Sequence, residues 1–449
     1  MRKSRCPLGG GYDKVVDMKK SEQVNFWKAF MGSGMVTFLN AVRVFVVNKL
    51  LAIFLPPSAF ACVGQFMNIM TMGQATSSLA LQNGWVSLSA QNKNNLEQLR
   101  GVWRGGFRLT TFASIFTFAV ALVLCFTVPL ESFFPGIHPR LVQAAIIFAL
   151  PGVFATNIIT ITASVMNGLG HYRRWALINM VSSLWQMLWV AFFLYSGRLS
   201  VLSIVATQSV IAGIFAAQIA SRAGFSLSEI RKTALDIRAP WLSYALMGIV
   251  PMLLSPVVLT FMRQTVGDNL GWDAAGIWQG IWKISDFLTA FFSAILGVII
   301  LPRVSAKMTK SEFWGMFRPI FLKTMLLALV AVLILYFGRS LLVAVMLSSS
   351  YAGAADYLPV QLLGDFFRVG GWALGLVLIV RRETKKFLTL EICSELVLAL
   401  STYAFVKLYE FNGPMMAYAL ENFLTLMASL VLVCRLEWSK TPSVKSEAK

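Results

Sequence analysis

Charge is the scarcest commodity in this sequence. Only 13% of its 449 residues are Asp, Glu, Lys or Arg, while 57% are hydrophobic. A soluble globular chain carries about 25% charged and about 45–50% apolar residues, so the shortfall excludes a soluble enzyme and a disordered chain alike. Acidic residues are the rarer sign: 20 Asp+Glu stand against 39 Lys+Arg, a formal net charge of +19. Cysteine is sparse too. None of Cys6, Cys62, Cys125, Cys393 and Cys434 forms a C-x-x-C pair, which leaves neither a disulfide framework nor a zinc site to read. The two histidines, His138 and His171, lie outside any metal-ligand pattern. No G-x-x-x-x-G-K-[ST] run occurs, so no nucleotide-binding loop is built in. Residues 1–34 have no apolar core of the length a signal peptide needs. The first apolar segment is therefore expected to stay as an uncleaved membrane helix. No cofactor is expected.

What the sequence has is apolar runs. A bilayer core about 30 Å thick needs about 20 mostly apolar residues per helix. Twelve segments qualify, near 35–55, 60–82, 109–130, 142–167, 176–196, 200–221, 241–263, 275–301, 320–338, 357–380, 387–408 and 414–435. The piece Leu341–Leu347 is too short to span and is expected at the membrane interface. With a cytoplasmic N-terminus, the connecting segments on that side hold 29 Lys/Arg, and the opposite ones hold four: Arg140, Arg198, Arg339 and Lys407. This is the positive-inside asymmetry. It places both termini in the cytoplasm and accounts for most of the basic excess without a nucleic-acid partner. Trp241, Trp272 and Trp438 fit interfacial anchors.

The longest internal loop divides the chain into 1–34, a cytoplasmic N-terminal segment; 35–221, the first six helices; 222–240, a cytoplasmic linker; 241–435, the second six; and 436–449, a cytoplasmic tail. Six helices per half give both halves the same orientation, which permits a parallel repeat about the membrane normal.

Six cations fall inside the segments. Arg263 and Lys323 lie near predicted helix ends, where snorkelling explains them. Arg43, Lys49, Lys283 and Arg368 lie deeper. Each costs at least about 2.5–3.5 kcal/mol at a helix centre on insertion scales, so each is expected to face water or a partner. Gln279, Lys283 and Asp286 recur at i, i+4 and i+7, and so do Gln361, Asp365 and Arg368. Each set occupies one helical face, with the charges in opposite order. Two readings follow: ion pairs that brace the bundle, or the walls of a hydrated cavity lined by both halves, of which the second is favoured. Asn40 and Arg43 share a face of the first segment, with Lys49 on another, and the second segment carries Gln65 and Asn68. Glu391 and Glu395 lie one turn apart and, like Glu421, face either the cavity or the interface.

The run Ala275-Gly-Ile-Trp-Gln-Gly280 followed by Ser285-Asp286, and the run Gln361-Leu-Leu-Gly-Asp365 followed by Val369-Gly370, resemble the Wzx-type lipid-linked O-antigen repeat-unit flippases. Within that family the similarity is greatest to the enterobacterial common antigen flippase branch. The resemblance runs in good order from about Trp241 to Arg435 and more loosely through the first half. Gln279, Asp286, Gln361 and Asp365 match the family's positions, and Arg368 stands where a cation is expected. Lys283 departs from the common-antigen pattern, where a small polar residue is usual.

The resemblance implies membership of the multidrug/oligosaccharidyl-lipid/polysaccharide exporter superfamily: an all-α polytopic membrane protein, with about 12 transmembrane helices in two six-helix lobes around a central cavity that opens to alternate sides. It implies a transporter without covalent chemistry, in the bacterial inner membrane, for undecaprenyl-pyrophosphate-linked oligosaccharide. Arg43, Lys49, Lys283 and Arg368 would bind the pyrophosphate; Asn40, Gln65, Asn68, Gln279 and Gln361 would be polar cavity residues; and Asp286, Asp365, Glu391 and Glu395 are the ion-coupling candidates. Expected partners are the lipid-linked substrate, membrane lipids, and polymerase and chain-length proteins of the same pathway, with the chain itself a monomer. The alternatives are a multidrug or cation antiporter, or a lipid II flippase, of the same superfamily.

Overall fold

A computed structural model describes residues 35–225, 237–300, 309–381 and 383–437. The expected N-terminal segment, most of the linker and nearly all of the tail, Trp438 included, lie outside the described residues. Among these residues there is no strand. The first half comprises α1 (Met35–Phe54), α2 (Pro57–Ser78), α3 (Gln82–Asn92), α4 (Leu96–Thr127), the single turn α5 (Leu130–Phe133), α6 (Pro139–Gly168), α7 (Tyr172–Ser196), and the broken pair α8 (Val201–Thr207) and α9 (Val210–Ser221). The second half comprises α10 (Ala239–Leu270), α11 (Trp272–Ile300), α12 (Lys310–Phe337), the short α13 (Arg339–Met346), α14 (Ala354–Val380), α15 (Thr384–Tyr409) and α16 (Gly413–Cys434).

The helix ends have local causes. α2 opens on Pro57, whose missing N–H costs nothing in a first turn. It closes where Leu79 and Ala80 take φ of 51° and 50° and turn the chain into α3. Asn95 starts α4 by accepting from the Gln98 N–H at 3.1 Å. Thr309 and Glu312 form a reciprocal capping box at the start of α12. The caps of α4 and α12 lie outside the apolar segments. Several helices therefore outrun the predicted spans, because helix length follows capping whereas span length follows hydropathy.

Among the described residues, nine stretches are long and apolar enough to cross a membrane, and the last, Thr384–Cys434, takes in both α15 and α16. With α2 and α11, twelve helices occupy the twelve predicted segments. Their burial separates centre from periphery. The most apolar window of α14 is 56% buried, that of α4 is 17% and that of α12 is 11%. Phe112, Phe116 and Phe126 on α4, and Leu326, Ile334 and Phe337 on α12, are accordingly exposed. In water such faces would be untenable; in hydrocarbon they are the solvated surface.

The helices gather into two lobes. In the first, α6 is the hub and packs on α3, α7, α8 and α9; in the second, α14 is the hub and packs on α11, α12 and α16, with α15 bridging α16 and α10. The lobes meet where α2 packs against α10 and α11. Close approach is permitted by glycine: a Cβ on Gly276 of α11 would collide with the Pro57 carbonyl. At the same end, Lys49 on α1 donates to the Ala344 carbonyl at 2.7 Å and to that of Leu347, while Ser348 donates to the Ala52 carbonyl at 2.7 Å. This is the end that the loop charges predict to be periplasmic.

Two expectations change. Trp241 is not an interfacial anchor: it is fully buried, packs its ring at 57° to that of Trp85 with centroids 4.6 Å apart, and donates to the Val102 carbonyl at 3.1 Å. Its indole finds a carbonyl inside the protein and has no need of the headgroup region. Arg263 does not snorkel; α10 continues to Leu270 and the guanidinium is 2% exposed. The Leu341–Leu347 piece, expected to be too short to span, is the eight-residue helix α13, packed on α14 with Val343 and Met346 buried.

Candidate functional site

The second lobe encloses a cavity of about 270 Å³ between α10, α11, α14, α15 and α16. Its wall carries Arg368, Glu391, Glu395, Glu421, Tyr418 and Asn422. The wall is organised around Asp365, which is fully buried. Ser285 donates to its Oδ2 at 2.7 Å and Tyr418 to its Oδ1 at 2.7 Å. Arg368 donates to the Tyr418 hydroxyl at 3.1 Å and lies over the Trp372 ring at 4.8 Å. Gln361 donates to Ser285 at 2.9 Å. A Cβ on Gly364 would strike the Tyr418 ring, so that glycine sets the approach of α16. As α11 packs on α14, it is Ser285, outside the first triplet, that meets Asp365 and Gln361 of the second; Gln279 goes to Arg263, and Lys283 and Asp286 pair with each other within α11. The pairing differs from the one expected: Asp365 is held by two hydroxyls, and Arg368 reaches it through one of them.

Lys283 and Asp286 form an ion pair of 3.0 Å within α11, with side chains 23% and 36% exposed. Asp286 acts electrostatically on both Asp365 and Arg368. Glu391, Glu395 and Glu421 all feel the Arg368 charge. Glu421 accepts from Thr425 at 2.9 Å, whereas Glu395 Oε2 is buried without a partner. The result is one guanidinium facing three carboxyls, a group whose total charge changes with every proton or cation taken up.

A second group lies on the seam. Arg263 donates to Gln65 Oε1 at 2.9 Å and to Gln279 Oε1. Its guanidinium sits 5.6 Å from the Trp278 ring centre. Asn68, one turn along α2, donates to Thr260 at 3.3 Å. Gly64 admits the Gln279 carboxamide, whose Cδ would lie 2.6 Å from any Cβ there.

The remaining predicted residues are placed elsewhere. Arg43 donates twice to Asn40, at 2.9 and 3.1 Å, and once to Gln186 on α7 at 2.9 Å, so it belongs to the first lobe. Lys49 is engaged with the C-terminal carbonyls of α13, a favourable place for a cation, and is not gathered with the other three. Among the described residues no cluster fit to hold a metal occurs. Sequence reasoning missed Tyr418, Ser285, Arg263 and the cavity role of Glu421. Tyr418 and Glu421 lie near the start of an apolar segment, where a polar tip reads as interfacial. Arg263 was hidden by a helix end placed seven residues early.

No family model matches the chain. The lipid III flippases of Escherichia coli (strain K12) and Shigella flexneri are each 24% identical over 405 residues, covering 87% of this chain and 94% of theirs. Among solved structures, an inward-facing multidrug resistance MATE family transporter of the MOP superfamily superposes with a TM-score of 0.70 at 13% identity, over 89% of this chain and 94% of that one. The lipid II flippase MurJ, in an inward closed conformation, superposes with a TM-score of 0.69 at 12% identity, over 90% of this chain and 87% of its own. These relatives are transporters and not enzymes. The chain is a multi-pass all-α membrane protein with the fold of MOP-superfamily transporters, homologous to the lipid III flippases over most of its length.

Proposed function

We propose that this protein is a flippase for undecaprenyl-pyrophosphate-linked oligosaccharide repeat units of an O-antigen or related surface polysaccharide. It moves them from the cytoplasmic to the periplasmic leaflet of the bacterial inner membrane by alternating access. The observation that carries the reading is Arg368, a guanidinium on the wall of a cavity that also carries three carboxyls, in a membrane-embedded lobe. A pyrophosphate cannot cross hydrocarbon bare. A guanidinium in a low-dielectric site offers it paired, charge-assisted hydrogen bonds. Arg43 and the partly exposed Lys283 extend the cationic surface, while Asn40 and Asn68 supply polar groups for sugar hydroxyls; Gln65, Gln279 and Gln361, expected beside them, are buried and engaged within the protein. The polyprenyl tail stays in the bilayer. With no nucleotide-binding loop in the sequence, an ion gradient or the membrane potential supplies the drive. Glu391, Glu395 and Glu421 are the carriers best placed to couple it, with Asp286 and Asp365 beside them.

The cavity's three carboxyls to one guanidinium favour a second reading, a cation antiporter. The two separate cleanly. A repeat-unit flippase restores surface polysaccharide in strains lacking an O-antigen or common-antigen flippase, and the strain rescued names the sugar. An antiporter restores neither and raises resistance to cationic dyes. In the rescued strain, Arg368→Ala and Arg43→Ala each abolish flipping at normal expression; near-normal flipping in both removes the pyrophosphate-binding role.

A further inference from the structure

The seam holds a second cation that the reading above does not use. Arg263 is 2% exposed, and its two neighbours Gln65 and Gln279 are 0% and 2% exposed. Its NH1 and NH2 groups are satisfied by carboxamide oxygens only, a neutral answer to a buried charge. Burying an ion costs several kcal/mol even after relaxation, and a neutral residue would tie the helices together more cheaply. Three donors of this group have no acceptor: Arg263 Nε, Gln65 Nε2 and Trp278 Nε1 are all buried and unpaired. Buried donors are normally satisfied, so three orphans around one guanidinium mark a place short of acceptor oxygens.

The seam also connects to the cavity. Trp278 lies beside Arg263, Trp282 follows at 5.5 Å, Tyr418 follows Trp282 at 5.2 Å, and Tyr418 bonds Arg368. One wall of aromatic rings thus runs from the cavity guanidinium to the seam guanidinium. Gln65 comes from α2 of the first lobe, and Gln279 from α11 of the second. Arg263 and Gln279 both belong to the second lobe, so separation of the lobes at this end would carry Gln65 away and free the guanidinium nitrogen it holds.

We propose that Arg263 is a masked phosphate-binding residue. In this state its donors are occupied by Gln65 and Gln279. When the seam opens, the diphosphate released by Arg368 replaces them, its oxygens satisfying the orphan donors as well. The bonds to the carboxamides already have a charged donor, but a diphosphate adds the counter-charge that a buried cation lacks and fits the guanidinium fork bidentately, so the exchange favours the anion. The inference rests on the flippase reading, because it assigns the second station of the same headgroup.

The test uses the full-length protein in nanodiscs and farnesyl diphosphate as the probe, with farnesol as the uncharged control. Removing the mask with Gln65→Ala and Gln279→Ala is expected to tighten farnesyl diphosphate binding at least about tenfold over wild type, with farnesol unchanged. Adding Arg263→Gln erases that gain, and adding Arg263→Lys keeps part of it. Should the double variant fold poorly, Gly64→Val provides the same uncovering by displacing the Gln279 carboxamide. No gain on uncovering, or a gain that survives Arg263→Gln, overturns the proposal. The headgroup reading fails separately, on wild-type binding that ignores Arg368→Ala. An Arg263-dependent gain would stand even then.

Discussion

The two lobes are built from equal numbers of spans, yet their interiors differ in kind. The first lobe encloses an apolar cleft of about 450 Å³ between α2, α4 and α6, walled by Phe66, Ile115, Phe118 and Phe154. Its buried polar contacts include neutral pairs between helices, such as Asn157 of α6 donating to Ser77 of α2 at 2.7 Å. The second lobe encloses a smaller cavity with one guanidinium and three carboxyls on its wall. Burying charge in a membrane protein is costly and tends to be reserved for function. Arg43 apart, whose guanidinium is held by Asn40 and Gln186, the contrast assigns the first lobe to support and apolar contact, and the second to charge recognition and coupling.

The sharpest way to break that comparison is to fill each space with the same side chain. A Cβ on Gly375 meets nothing within 4 Å and points into the charged cavity; one on Gly73, in the apolar cleft, meets only Val153 at 3.8 Å. Both Gly375→Leu and Gly73→Leu are expected to fold. The first should abolish rescue of surface polysaccharide, and the second should leave it within about twofold, since volume added to a loosely filled apolar site is tolerated. Equal effects would erase the distinction between the lobes. Asp365→Asn comes next. Its carboxylate accepts from both Ser285 and Tyr418, and an amide NH2 on either side faces a donor with a donor. The expected cost is about 1–3 kcal/mol, read as a lowered melting temperature, with Arg368 released and transport lost.

Much of this was legible beforehand. The twelve spans follow from hydropathy and the loop charges, because the bilayer imposes a length that sequence alone can meet. The triplet Gln361, Asp365 and Arg368 lies on the face of α14 that meets Ser285 and Tyr418, whereas on α11 the residue that meets it, Ser285, stands outside the triplet. What stayed hidden was the third partner. Tyr418 comes from a distant segment and looks like an interface residue until α16 is laid on α14. Arg263 was misplaced by a helix end, and its glutamine partners, though singled out, carried no sign of the cation they enclose. Spacing reports which residues share a face; it does not report which face arrives opposite.

Smaller effects refine the division of labour inside the second lobe. Glu395→Gln is expected to remove the gradient-stimulated part of transport in proteoliposomes while substrate binding persists. Loss of both together would reassign Glu395 to the headgroup. Lys283→Ala should change the melting temperature least. Its partially exposed i, i+3 pair with Asp286 is worth under about 1 kcal/mol, so a shift of many degrees would place Lys283 in the core network after all.

The central claim is that a diphosphate is recognised by the second lobe through Arg368. Equilibrium binding of undecaprenyl diphosphate and of undecaprenol to the protein in nanodiscs tests it directly. The account predicts that the diphosphate binds far more tightly than the alcohol, and that Arg368→Ala weakens the diphosphate at least about tenfold while leaving the alcohol unchanged. Equal affinity for the two lipids in the wild-type protein would contradict it.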